Sequence, residues 1–135
     1  MRQLNFSNNK NFKLYLALTL FAFSVVGFMI KLPRFFHHFD KELHALFYFC
    51  ATCFLLLLYS KRWFIIPTAL FVFGVLIELA QDFSNKISVR IIGKRIHGRF
   101  DPEDIFFNLL GVLIGLVAFY LLKALFRVYK KISSY

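Results

Sequence analysis

Residues 98–115 read GRFDPEDIFFNLLGVLIG, and the apolar run that begins at Ile105 continues to Leu122. A run of that length matches the ~17–25 residues an α-helix needs to cross a hydrocarbon core. Its mouth carries Asp101, Glu103 and Asp104, and Asn108 lies one turn further in. Three more runs of similar length precede it, Leu14–Ile30, Leu43–Tyr59 and Trp63–Ala80. The chain is 135 residues long with 59% hydrophobic residues, including 20 Phe. Soluble domains hold about 45–50% apolar residues, so the bilayer is the expected solvent. The predicted fold is all-α: a single polytopic membrane domain over residues 1–135, with four transmembrane helices in an antiparallel bundle.

The first run follows Arg2, Lys10 and Lys13, as a signal peptide would, but VVGFMIKLPRFF offers no small-residue cleavage site. It is expected to remain as an anchor. The short link Ser60–Arg62 makes the second and third helices antiparallel neighbours. With four spans, the N-terminus, this link and the C-terminus share one side and hold nine of the 17 Lys and Arg residues. The positive-inside rule therefore places both termini in the cytoplasm. Every Asp and Glu lies on or beside the opposite side. The net charge of +10 points to anionic lipids as partners and not to nucleic acid, because no basic stripe lies on a soluble fold.

Polar residues within the spans form three stripes. Asp40, Lys41, His44 and Tyr48 recur at helical spacing along one side of the start of the second helix. Glu78 and Gln81 lie near the end of the third, with Gly74 one turn earlier. Asp104, Asn108, Gly111 and Gly115 line the fourth. All three stripes lie at the same membrane face of an up-and-down bundle. Ionisable groups facing lipid are expensive, so the stripes should converge on an interior polar pocket. Asp101 reads as an N-cap, Pro102 as the first helical residue, and Glu103 and Asp104 as acids suited to the helix dipole. Gly111 and Gly115 form a GxxxG pattern for close helix packing or self-association, which brings a neighbouring helix near Asn108.

Other features read as structural. Cys50 and Cys53 form CxxC inside an apolar helix without a second pair, which fits small packing residues. His37 and His38 read as a solvated loop pair. The alternation around Gly93-Lys94 in NKISVRIIGKRIHGRF predicts a small hairpin or an interfacial cover.

Taken together, DKELHALFY, ELAQ and GRFDPEDIFFNLLGVLIG resemble the VanZ-like family of small four-span bacterial membrane proteins, over about residues 39–115. The family pattern falls on Asp40, Lys41, His44 and Tyr48, on Glu78 and Gln81, and on Arg99, Asp104, Asn108 and Gly111. Arg90 and Arg95 are alternatives for the arginine, and the link from Gln81 to Arg99 is longer than is usual in the family. The resemblance implies a role in the cell envelope and a connection to teicoplanin susceptibility.

Three functional classes follow from the pocket. A binder or transporter would hold an anionic lipid or envelope-precursor head group, with Asp40, Lys41, Tyr48, Gln81, Arg99 and Asn108 as binding residues. An enzyme acting on a lipid-linked or cell-wall precursor would use His44, Glu78 and Asp104, with His44 or Glu78 as general base. A structural cluster would pair Asp40 with Lys41, Glu78 with Lys41 or Arg99, and Asp104 with His44. No cofactor is implied. A metal variant would draw on Asp40, His44, Glu78 and Asp104, but no dense ligand motif supports one, and no metal is expected.

Overall fold

The computed structural model describes residues 10–29, 39–96 and 100–134. They form four helices, α1 (Lys10–Met29), α2 (Asp40–Leu58), α3 (Ile65–Ile92) and α4 (Pro102–Ile132), and no strand among the described residues. All four are long and apolar enough to span a membrane. Their outward surface carries many exposed large hydrophobics, such as Phe23, Leu57, Leu121 and Phe126. In water such a surface would be an aggregation liability; in lipid it is the expected exterior. The chain is a multi-pass membrane protein.

Local chemistry explains the helix starts. Asp101 Oδ1 accepts from the Glu103 N–H at 2.9 Å, and Pro102 follows at the first helical position, as the capping signal predicts. Pro67 sits in the first turn of α3, where a missing N–H does no harm. The link after α2 is tight: Arg62 N–H donates to Tyr59 O at 2.9 Å.

The hairpin or cover expected around Gly93-Lys94 is instead helix up to Ile92. Gly93 closes α3 in the left-handed conformation at φ 68°, where the absent Cβ removes the penalty. The alternation in ISVRII also fits a helix whose inward positions are polar, since Asn85 and Ser88 are buried. Ser88 Oγ donates to Lys94 O at 2.5 Å, and Asn85 Oδ1 accepts from Ile96 N–H at 3.1 Å, so the chain after the helix end folds back onto its last turns. With 28 and 31 residues, α3 and α4 exceed the length of their apolar runs. At ~1.5 Å per residue they outreach a ~30 Å hydrocarbon core, and their charged ends reach polar surroundings.

Successive spans alternate in direction, so α2 and α4 run parallel, and they form the most extensive helix pair. The cause is the GxxxG pair. Gly111 faces the Ala45 backbone, and Gly115 faces Phe49 O and the Thr52 side chain, an approach that any larger residue would obstruct. The α2–α3 contact, expected from the short link, is present but smaller. Tyr48, Ala51, Leu56, Ile66, Leu70, Val112 and Phe119 make the buried apolar core. The helix α1 is fastened near both ends: Lys13 Nζ donates to Leu58 O at 3.1 Å, and Gln81 Nε2 donates to Phe28 O at 2.7 Å. Between them it packs sparsely, with Ser24 its one buried residue.

Candidate functional site

The parallel α2–α4 pair sets the first layer of the site. Because Ala45 lies against Gly111, His44 and Asn108, each three or fewer residues away, meet across the same seam. His44 Nδ1 and Asn108 Oδ1 are 2.9 Å apart and buried. An amide oxygen can only accept, so Nδ1 carries the hydrogen and Nε2 faces the Asp40 carboxylate. Phe28 packs on the ring with centroids 5.0 Å apart. Asp40, one turn before His44 on α2, has a carboxylate oxygen 4.0 Å from Nε2. Asp104, one turn before Asn108 on α4, completes a group in which one ligand atom each from Asp40, His44 and Asp104 lie within 4.8 Å of one another.

The second layer comes from α3. Gly74 faces the Asn108 amide and the Tyr48 hydroxyl, and its missing side chain lets α3 close against them. One turn on, Glu78 is 1% exposed, and neither carboxylate oxygen has a hydrogen-bond partner among the described residues. The groups that act on it are the carboxylates of Asp104, Asp101 and Asp40 and the Asp101 backbone, so it faces the acidic cluster and the start of α4. Tyr48 is 0% exposed, and its hydroxyl is likewise unpartnered. A buried polar group without a partner costs about 1–3 kcal/mol, and an ionised one more.

The predicted stripes thus converge: Asp40, His44, Tyr48, Glu78, Asp104 and Asn108 gather in one polar cluster at one end of the bundle. Lys41 and Gln81 take other partners. Lys41 forms an ion pair with Glu103 at the exposed rim, in place of Asp40 or Glu78. Gln81 holds the end of α1 through Phe28 O. Asp104 makes no direct ion pair with His44, whose Nδ1 is taken by Asn108. Arg99, with His37 and His38, lies outside the described residues, while Arg90 and Arg95 are exposed. Cys50 and Cys53 are free thiols, and Cys53 Sγ lies 3.5 Å from Gly115 O on the α2–α4 seam, consistent with packing.

Sequence reasoning missed an apolar cavity of about 520 Å³ between α1, α2 and α3. Leu14, Phe21 and Ser24 line one wall and Phe47, Ala51 and Phe73 the other, with Tyr59 and Arg62 at the far end. Phe28 packs between this cavity and the polar cluster, with ring centroids 5.0 Å from both His44 and the cavity residue Phe47. Small residues at Ala17, Ala51 and Ala69 were its available signal. No protein-family model matches the chain, and comparisons with curated proteins and with solved structures likewise return no match.

Proposed function

We propose that this chain is a protein of the bacterial cytoplasmic membrane that binds the anionic head group of a lipid or lipid-linked envelope precursor in the one-sided polar pocket. The observation that carries this reading is the stacking of two environments. A cluster of buried polar side chains around Glu78 lies next to an apolar cavity of about 520 Å³, with the Phe28 ring between them. A ligand that is polar at one end and hydrocarbon at the other matches that order. The cavity lining from Leu14 to Ser24 covers ten helical steps, ~15 Å, or about half the hydrocarbon core. With both termini in the cytoplasm the pocket opens outward, where envelope precursors are handled. Lys41 at the rim, and Arg99, two residues before the α4 N-cap Asp101 in sequence, supply cationic charge for the head group. The resemblance to the VanZ-like family supports the same residues and adds teicoplanin susceptibility as a phenotype.

Of the pairs a purely structural cluster would make, Lys41 is instead paired with Glu103 and His44 Nδ1 with Asn108, while a Glu78–Arg99 pair lies outside the described residues. The unpartnered Glu78 carboxylate favours a second reading, an enzyme in which His44 and Glu78 act as acid and base on the bound precursor.

The test compares lipids and cell-wall precursors by mass spectrometry in a deletion strain carrying wild type, His44→Ala or Glu78→Gln, at matched membrane levels. A lipid that co-purifies with wild type and not with the variants supports binding. A chemically altered species made only with wild type establishes the enzyme. Identical profiles and no retained lipid overturn both, and an unchanged teicoplanin response removes the resistance phenotype.

A further inference from the structure

The polar pocket poses an electrostatic problem for any anionic ligand. Asp40, Asp104 and Glu78 face it, and the nearest described lysine, Lys41, is engaged by Glu103. Three carboxylates around a mostly buried space repel a phosphate or carboxylate unless a cation stands between them.

We propose that Asp40, His44 and Asp104 form a site for a divalent first-row metal ion of the Zn²⁺ or Mn²⁺ kind, with Glu78 facing it from α3. Four features converge on this. The three ligand atoms already lie within 4.8 Å of one another. Ligands ~2.1 Å from a shared ion sit about 3.4 Å apart, so modest side-chain rotation closes the set. Two of the ligands come from one face of α2 at i and i+4, and the third from α4, whose register is fixed by Gly111 against Ala45. His44 also has the orientation metal-binding imidazoles adopt: its Nδ1–H is held by the Asn108 oxygen at 2.9 Å, and Nε2 faces the carboxylates.

Glu78 is the independent indication. A carboxylate that is 1% exposed, faces three other carboxylates and meets no cationic group among the described residues calls for a cation bound among them. A mixed set of imidazole and carboxylate ligands suits Zn²⁺ or Mn²⁺ better than a thiolate-seeking ion. Three protein ligands leave a coordination position open, as in sites that engage a substrate oxygen. Building on the head-group reading above, that open position is where an anionic oxygen of the ligand binds.

The experiment uses the full-length chain without a polyhistidine tag, in detergent micelles, stripped with EDTA and titrated with ZnCl₂ or MnCl₂. One ion binds per chain in wild type and in the control His37→Ala/His38→Ala. Asp104→Asn and His44→Gln remove direct ligands and raise the Kd by about 100-fold or more, beyond the ~10–100-fold that losing an outer-shell partner costs. Circular dichroism and gel filtration identify variants that fail to fold, and Asp40→Asn, on the half-exposed rim, is a second reporter with the same expected direction. No binding by wild type, or equal affinity in folded Asp104→Asn and His44→Gln, overturns the site. Lipid co-purification before and after EDTA separates the two proposals. Metal bound without any lipid leaves the ion site standing and sinks the head-group reading; lipid retained by a chain that binds no metal does the reverse.

Discussion

Gly111→Ala is the sharpest probe of the frame that builds the site. An added methyl group at Gly111 would run into the Ala45 carbonyl, with the carbonyl carbon at 2.9 Å and Cα at 3.0 Å. These are backbone atoms of a helix and cannot rotate aside, so α2 and α4 must part. That places the substitution at the upper end of overpacking penalties, about 3 kcal/mol. Alanine's better helix propensity offsets about 1 kcal/mol. The net loss of about 2 kcal/mol is a shift of about 30-fold in the folding equilibrium. Gly27→Ala is the matched control, because nothing lies within 4 Å of the position its methyl would take. The assay is unfolding by SDS in mixed micelles, followed by circular dichroism, with the three proteins in parallel. Gly111→Ala should unfold at a lower SDS fraction, and Gly27→Ala at the wild-type fraction or above. If Gly111→Ala and Gly27→Ala unfold together, the close α2–α4 approach is wrong. Because His44 and Asn108 meet on the same seam, the loss should also weaken ligand retention.

Three further outcomes follow from single contacts. Asn108→Ala removes the partner of His44 Nδ1 and leaves a buried ring donor unmet, a loss of about 1–2 kcal/mol in the same unfolding assay. Asp101→Ala removes the N-cap of α4 and should lower stability by about 1 kcal/mol, while Asp101→Asn should retain most of it. The double substitution Cys50→Ala/Cys53→Ala should shift unfolding by less than about 0.5 kcal/mol and leave lipid retention unchanged, since one thiol is exposed and the other makes a long contact; a lost phenotype would make the CxxC functional.

The spans were legible because lipid imposes a length and an apolar composition that no other solvent requires. The site was partly legible for a related reason. A polar side chain in a span must find company, so spacing alone brought Asp40, His44, Glu78, Asp104 and Asn108 together. Rotamers and partners were not legible, since Lys41 had several acids within reach and the fold gave it Glu103. Gln81 shared a helical side with Glu78, yet its long side chain reaches α1. The end of α3 was misread because ISVRII fits period 2 as well as a helix with polar inward positions, and the tie between Ser88 and Lys94 is a tertiary decision. The cavity had only scattered alanines as a trace, and voids arise from how helices splay, which composition does not encode.

The way α1 is held has a kinetic consequence. A rod clamped at both ends and sparsely supported between can bow sideways while its clamps, Lys13 on Leu58 and Gln81 on Phe28, stay closed. Hydrocarbon can then pass between the surrounding bilayer and the interior without a loop opening or the α2–α4 seam moving. On the head-group reading proposed above, exchange rate and binding strength would then belong to different helices, with substitutions in the middle of α1 tuning how fast a ligand comes and goes and the opposite half of the bundle deciding what is held.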